Sequence, residues 1–161
     1  MASTRREMLR TGWKIGGAAL VVAAGWTAFE SLRPLGASSK GTVLDLGDPA
    51  NYPSGSATYV IEGRLFVANA GGHLFALSQK CPHLGCRVPF CDSSGRFECP
   101  CHGSKFDLGG EWIQGPAPRG MDRYDLSLQN GKLLVDTSKL TDGPDRGAHQ
   151  YLTPAKGPAC N

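Results

Sequence analysis

Two short segments hold the residues that decide the fold and chemistry of this chain: Cys81-Pro82-His83-Leu84-Gly85-Cys86 and Cys99-Pro100-Cys101-His102-Gly103-Ser104. They contain four of the six cysteines and two of the four histidines among 161 residues. Disulfide bonding alone would account for the cysteines of an exported protein, but not for a histidine two residues after Cys81 and three after Cys99. A zinc site of two Cys and two His is a further alternative. The pattern therefore predicts a metal centre built from both segments.

The spacing Cys-x-His, then 15 residues, then Cys-x-x-His resembles that of the Rieske iron–sulfur proteins. The resemblance implies one Rieske-type [2Fe-2S] cluster, in which two thiolates hold one iron and two imidazoles hold the other. Carried onto this chain, the implied ligands are Cys81, His83, Cys99 and His102. The resemblance also implies that the Ser104 hydroxyl bonds a bridging sulfide of the cluster.

Further features resemble the iron–sulfur subunits of cytochrome bc and cytochrome bf complexes in particular. Cys86 and Cys101 occupy the two positions that form a disulfide between the loops in that subfamily. The segment 115–118, Gly-Pro-Ala-Pro, resembles the proline loop that covers the cluster. One residue departs from the subfamily: Phe106 stands where high-potential members carry a tyrosine that donates to a ligand sulfur. With the amino-terminal anchor, the resemblance covers about residues 1–136.

The function implied by this resemblance is that of a membrane-anchored Rieske subunit in a quinol:cytochrome c (or plastocyanin-type) oxidoreductase. In such a subunit, His83 or His102 contacts quinol bound at a cytochrome b subunit and takes its proton while the cluster takes one electron. Leu84 is then the apolar tip that docks on cytochrome b, and a c-type cytochrome accepts the electron. Phe106 lacks the hydroxyl that would favour the reduced cluster, so the reduction potential should be lower than in relatives with the tyrosine. A lower potential favours menaquinol as the donor.

An alternative function is that of the small Rieske subunit of a periplasmic molybdenum oxidase of the arsenite-oxidising kind. Such subunits resemble this chain in the export signal, the Cys-Pro-His opening and a Phe in place of the Tyr, and they relay electrons without quinol chemistry. The proline loop and an uncleaved anchor favour the quinol-oxidising subunit instead. The anchor and the pair Cys86 and Cys101 also disfavour a free Rieske ferredoxin.

The body of the chain predicts an all-β fold. Runs of β-branched and aromatic residues predict strands at 43–46, 57–61, 65–68, 73–77, 124–128 and 132–135. Turn residues separate them, and Asn130-Gly131 between two such runs predicts a tight hairpin. With 22 Gly and 11 Pro, and no sustained helical periodicity after the anchor, we expect a small antiparallel Rieske-type β domain at residues 42–136 with a cluster-binding subdomain.

The first forty residues predict an export signal and a membrane anchor. Arg5 and Arg6 after a hydroxyl residue resemble a twin-arginine signal, placed at residues 1–10. Residues 11–29 carry one charge, Lys14, and at about 1.5 Å per residue they span about 29 Å, enough for a bilayer core. We assign residues 11–33 to an uncleaved single transmembrane helix, in preference to a cleaved signal peptide, and 34–41 to a flexible tether.

The charge distribution orients this anchor. The formal net charge of +3 lies entirely in the amino-terminal segment, where four cations oppose Glu7: Arg5, Arg6, Arg10 and Lys14. The positive end is expected to stay in the cytoplasm, which places the iron–sulfur domain on the periplasmic (extracytoplasmic) side of the cell membrane. Because the rest of the chain is neutral, binding to nucleic acid is excluded.

Residues 137–161 are polar and rich in Pro and Gly, and they predict an extended tail on the surface. Cys91 and Cys160 remain outside the implied ligands and bridge. A second disulfide that fastens the tail, and a pair of unpaired thiols, are both compatible with the sequence.

Overall fold

The computed structural model describes residues 4–32, 41–148, 150–151 and 154–160. The chain separates into two units, Met1–Ser38 and Ser39–Asn161. The described part of the first unit is essentially one helix, and the second contains the strands. An amino-terminal apolar helix followed by an antiparallel all-β domain is the architecture expected from the sequence, and that expectation is confirmed.

Helix α1 (Arg5–Leu32) begins with a capping box. Glu7 N donates to Thr4 Oγ1 at 3.4 Å, and Thr4 N donates to Glu7 Oε2 at 2.9 Å. Because this cap immediately precedes the paired arginines, the helix starts inside the segment 1–10 that the sequence assigned to the export signal. By length and composition, α1 could cross a membrane. Residues 1–3 and 33–40, which include most of the predicted tether, lie outside the described residues.

Ten strands follow the helix in the described part of the chain. Their bounds are β1 (Val43–Asp45), β2 (Ala57–Val60), β3 (Leu65–Ala70), β4 (His73–Ser78), β5 (Phe90–Cys91), β6 (Arg96–Glu98), β7 (Lys105–Phe106), β8 (Trp112–Gln114), β9 (Arg123–Gln129) and β10 (Lys132–Thr141). A short 3-10 helix, Pro49–Asn51, lies between β1 and β2.

The larger sheet has the strand order β1-β10-β9-β4-β3-β2, and every neighbouring pair is antiparallel. It consists of the six strands that the sequence predicts. The β9–β10 hairpin turns at Asn130 and Gly131, whose φ angles of 51° and 76° are both positive. Two consecutive positive φ angles are what a type I′ turn requires, so the Asn-Gly prediction is confirmed.

The smaller sheet, with the order β5-β6-β7-β8, carries the two cysteine–histidine segments on its connections. The first loop (residues 79–89) joins β4 to β5, and the second loop (residues 99–104) joins β6 to β7. The proline loop (residues 115–118) follows β8. These four strands have only two or three residues each, and none lies in a run of β-branched and apolar residues like the one at 43–46, so the sequence did not predict them individually.

Strand β3 lies between two apolar cores and is buried along its whole length. Phe66, Ala68 and Ala70 belong to the core shared with the smaller sheet, whereas Leu65 and Val67 belong to a core with residues of β10. The alternation follows from the period of two in a strand. Aromatic contacts link the two sheets, and the ring centroids of Phe66 and Phe97 are 5.1 Å apart. This packing fixes the smaller sheet, and with it both loops, against the larger one.

The tail differs in part from the expected extended segment. Strand β10 continues to Thr141, five residues beyond the predicted domain limit at 136, because Leu140 and Thr141 resume pairing with β9 after an irregularity that begins at Asp136. Further along, a disulfide joins Cys91 to Cys160, so the structure contains the second bridge that the sequence left open. Cys160 N also donates to Glu98 Oε2 at 2.9 Å. The end of the tail is thus fastened to the smaller sheet.

Candidate metal centre

The first and second loops fold into the same local turn. In each, a glycine N–H donates to the carbonyl of the cysteine four residues earlier: Gly85 to Cys81 at 2.9 Å and Gly103 to Cys99 at 3.1 Å. Both glycines have positive φ, 79° and 73°, which explains why glycine stands at each position. The two cysteines are equivalently placed at the start of the two turns.

A disulfide between Cys86 and Cys101 joins the two loops, with the Cα atoms 6.7 Å apart. It links the positions that the family resemblance paired. The sulfurs of Cys86, Cys99 and Cys101 lie within 4.8 Å of one another, so the bridge lies beside a candidate ligand. Because two of these sulfurs are bonded to each other, Cys99 is the one of the three that can offer a thiolate to a metal.

The two remaining thiols, Cys81 and Cys99, are both free and each is 3% exposed. Burial raises the pKa of the Cys81 thiol, the His83 backbone N–H bonded to it lowers the pKa, and the adjacent Cys99 raises it. The Ser104 hydroxyl also bonds the Cys81 thiol and lowers its pKa. The buried Cys81 thiol is costly to ionise without a cation nearby, and a bound iron would supply the compensating charge.

The two imidazoles lie on the solvent side of the site. His102 is exposed and His83 is half-buried, and their ring centroids are 4.9 Å apart at an interplanar angle of 87°. The structure therefore pairs the two predicted thiol ligands in the interior and the two predicted imidazole ligands nearer the solvent. This donor set of two sulfurs and two nitrogens fits a Rieske-type cluster, whose two irons have different ligands.

The proline loop packs directly on the second loop. Gly115 has a φ of 94°, and a Cβ there would lie 2.5 Å from Ser104 Cα. Ala117 N donates to Ser104 Oγ at 3.1 Å, and both residues are fully buried. The proline loop therefore lies beside Ser104, and the covering role that the resemblance implies stays a prediction.

Leu84 and Phe106, the other two residues singled out by the sequence, differ in their exposure to solvent. Leu84, at the tip of the first loop, is 71% exposed although it is apolar. Phe106 is fully buried in β7, opposite Phe97 of β6, and belongs to the core that connects the sheets.

Comparison with known proteins supplies the family. The model of the Rieske [2Fe-2S] domain matches residues 43–125, a little over half of the chain, and this segment includes both loops and the proline loop. The chain belongs to the Rieske [2Fe-2S] domain family. The cofactor of this Rieske domain is accordingly a [2Fe-2S] cluster, and the zinc and disulfide-only alternatives are set aside.

Relatives of the Rieske domain include two iron–sulfur subunits of cytochrome b6-f complexes. The subunit of Chlorobaculum thiosulfatiphilum is 35% identical over 94 residues, which cover 57% of this chain and 52% of that protein. The subunit of Prochlorococcus marinus (strain MIT 9312) is 37% identical over 111 residues, covering 61% and 62%. The chain spans about half the length of the curated relatives that it matches. A structure titled hyperthermophilic respiratory Complex III has 27% identity and a TM-score of 0.48, covering 74% of this chain and 98% of that one.

One residue near the site was missed by the sequence analysis. Arg146, in the tail beyond the matched segment, donates to the carbonyl oxygens of Gly115 and Ala117 in the proline loop. A single arginine in a polar segment rich in Pro and Gly carries no periodic or spacing signal. Its contact with the proline loop depends on the tertiary structure of the tail, which the sequence does not specify.

Proposed function

We propose that this chain is the Rieske subunit of a membrane-bound quinol-oxidising complex and passes one electron from quinol, at a cytochrome b subunit, to a c-type cytochrome. The observation that carries this proposal is the arrangement of the loop tips, where two imidazoles face solvent beside the exposed Leu84 while both thiols are buried. The similarity to cytochrome b6-f iron–sulfur subunits supports it over the molybdenum-oxidase alternative.

In this proposal Cys81 and Cys99 would hold one iron of the cluster, and His83 and His102 would hold the other. When bound, the cluster supplies one-electron chemistry at a potential that imidazole ligation raises. The buried thiolates lie away from solvent, and the Cys86–Cys101 disulfide keeps the two loops together. The ring nitrogen that each histidine does not offer to iron is free to accept a hydrogen bond, and then a proton, from a quinol hydroxyl.

Leu84 is the residue that we assign to docking on cytochrome b. Its side chain is apolar, is 71% exposed, and lies on a loop tip beside the two imidazoles. A partner that covers this tip would remove the side chain from water, which is favourable. Phe106 is the residue that supports menaquinol as the donor, because a phenylalanine offers no hydroxyl to a ligand sulfur.

The membrane arrangement is part of the same proposal. Helix α1 anchors the subunit, its positive amino-terminal end is cytoplasmic, and the β domain lies on the extracytoplasmic side. The two disulfides support this side, since such bonds persist in oxidising compartments. The paired Arg5 and Arg6 would serve the export of a domain that has already folded around its cluster.

The ligand assignment is tested by single substitutions at Cys81, His83, Cys99 and His102 in the full chain. Each is expected to abolish the Rieske visible and electron paramagnetic resonance spectra, because each substitution would remove one of the two protein ligands of one iron. A substituted chain that keeps the complete spectrum would remove its residue from the ligand set.

The quinol function is tested in membranes that contain the complex. Leu84→Ala is expected to lower quinol:cytochrome c reductase turnover at least about fivefold, the effect of losing an interface contact worth roughly 1 kcal/mol, while the cluster spectrum stays unchanged. Ile61→Ala is the matched control, because Ile61 is 70% exposed but lies on the turn between β2 and β3. Equal turnover of the two variants would exclude the docking role of Leu84. Reduction of the cluster by arsenite and not by quinol would exclude the proposed function.

A further inference from the structure

A side chain from the tail holds the proline loop. Arg146 donates from Nε and Nη2 to the carbonyl oxygen of Ala117 at 2.8 and 2.5 Å, and from Nη2 to that of Gly115 at 3.2 Å. Its guanidinium carbon also lies 4.6 Å from the ring centroid of Trp112, whose Nε1 donates to the same Gly115 oxygen at 3.2 Å. A planar guanidinium can make the forked bonds and stack on the ring at once, which a lysine ammonium cannot do.

The backbone of the tail brings Arg146 to this place. Asp145 forms a β-bridge with Arg119, immediately after the proline loop, and Gly120 N donates to Pro144 O at 2.8 Å. Residues 144–146 therefore lie along the exit of the proline loop. This contact is built by a segment outside residues 43–125, the part of the chain that the family model matches.

Ala117 is held on its other side by the metal site. Its N–H donates to Ser104 Oγ at 3.1 Å, and the Ser104 hydroxyl bonds the Cys81 thiol. A hydroxyl has one proton to donate, so a serine that accepts from Ala117 can direct that proton towards sulfur. Arg146, Ala117 and Ser104 are thus linked in series by hydrogen bonds, and the Ser104 hydroxyl at the end of the series acts on the Cys81 sulfur.

We propose that Arg146 is a positioning residue: it holds Ala117 so that Ser104 keeps its hydrogen bond to sulfur, and it thereby raises the reduction potential of the bound cluster. Donors to cluster or ligand sulfur favour the reduced, more negative state, so a looser proline loop lowers the potential. The inference rests on the cluster site proposed above and does not depend on which molecule donates the electron.

The test compares Arg146→Lys with the unaltered full chain, purified in detergent with its cluster. Lysine keeps the positive charge but loses the fork and the stacking, so a purely electrostatic role predicts no change. We expect a lower midpoint potential, a retained visible spectrum, and exchange of the Ala117 amide about 10- to 100-fold faster. Because residues 116 and 118 are prolines, Ala117 has the only backbone N–H between them, and mass spectrometry of this peptide can follow it.

Lys156→Ala is the matched control. Lys156 is also a tail cation, and its Nζ donates to Gly55 O at 2.9 Å, away from the proline loop. This variant is expected to keep the potential and the Ala117 exchange rate. An unchanged potential or exchange rate in Arg146→Lys, or equal changes in Lys156→Ala, would overturn the proposal. Exchange is also measured in the metal-free chain. Failure to bind a cluster would count against the ligand assignment, whereas an unchanged Ala117 exchange rate in the metal-free Arg146→Lys chain would still overturn the role of Arg146.

Discussion

Asp107 is a fully buried carboxyl group near the cluster-binding loops, and its surroundings disfavour its charge. Its Oδ1 accepts a hydrogen bond from Glu111 N at 2.8 Å, and its Oδ2 finds no partner among the described residues. Burial raises the pKa of Asp107 to about 6; the backbone N–H of Glu111 lowers it, the Glu111 charge raises it, and the Arg123 charge lowers it. Above this pH the folded domain holds a poorly solvated carboxylate.

This carboxyl group should make stability depend on pH. Because the folded pKa lies above the unfolded one, the contribution to stability is complete below about pH 4 and is lost as the pH rises through about 6. A shift of about two pKa units corresponds to roughly 3 kcal/mol. Asp107→Asn keeps an oxygen that can accept the hydrogen bond from Glu111 N. It should remove the loss of folding stability that Asp107 causes as the pH rises. Thermal melts of both chains between pH 4 and 8 check the prediction, and parallel pH profiles would contradict it.

Phe106 is the residue at which the potential can be tuned directly. Phe106→Tyr should raise the midpoint potential, since the family's tyrosine at this position donates to a ligand sulfur and such a bond favours the reduced cluster. A hydrogen bond to a charged group contributes about 1.5–3 kcal/mol, and 100 mV is about 2.3 kcal/mol, so the rise should be roughly 65–130 mV.

Phe97→Tyr is the control for this substitution. Phe97 is also fully buried and pairs with Phe106 across β6 and β7. The Phe97→Tyr substitution therefore adds the same hydroxyl group to the same core. It should lower the melting temperature through overpacking and leave the potential unchanged. Redox titration of both variants decides the matter; a Phe106→Tyr midpoint that stays level or falls would show that Phe106 does not set the potential.

At the scale of elements, the proline loop depends on a glycine that no other residue can replace without cost. Gly115 has positive φ, and an added Cβ would collide with the Ser104 backbone. Gly115→Ala should therefore displace the loop, destabilise the domain by roughly 2–4 kcal/mol and accelerate loss of the cluster. Gly131→Ala is the control that measures only the cost of a positive φ in alanine. Gly131 also has a positive φ, 76°, but an added Cβ there would have nothing within 4 Å.

Thermal melts and the rate of cluster bleaching measure this difference. The Gly131 variant should lose about 1–2 kcal/mol and bleach at the normal rate, because its turn lies at the far end of the β9–β10 hairpin. If the two variants bleach equally fast, contact between the proline loop and the second loop does not protect the cluster.

The elements that the sequence predicts are those with a local signal. The six strands of the larger sheet contain runs of β-branched and aromatic residues, and Asn130-Gly131 has a chemistry that dictates its turn. The ligand loops were recognisable because metal chemistry demands particular residues at particular spacings. Strand β5 has two residues, too few for a pattern, and Arg146 acts through contacts made 29 and 31 positions away along the chain. Such contacts depend on tertiary packing, which local sequence does not specify.

At the scale of the whole molecule, the chain divides its chemistry between two units. The net charge lies in the amino-terminal unit, Met1–Ser38, while the β domain is neutral overall and carries both disulfides. The β domain extends well past the family segment, since the tail reaches back to the smaller sheet at Cys91 and Glu98. The tail is therefore part of the folded domain and should contribute to its stability.

The two disulfides should have separable effects. Replacing Cys91 and Cys160 with serine opens a link between positions 69 residues apart, which should cost roughly 2–4 kcal/mol and lower the melting temperature by on the order of 10 °C. The Rieske spectrum should persist, because neither cysteine belongs to the ligand loops. Replacing Cys86 and Cys101 should instead accelerate cluster loss before the β domain unfolds, since that bridge joins the two loops. Melts followed by circular dichroism and by the visible band separate the two events. Free thiols at both Cys91 and Cys160 in the native, alkylated protein, or a melting temperature unchanged by their replacement, would show that the tail is held by its hydrogen bonds alone.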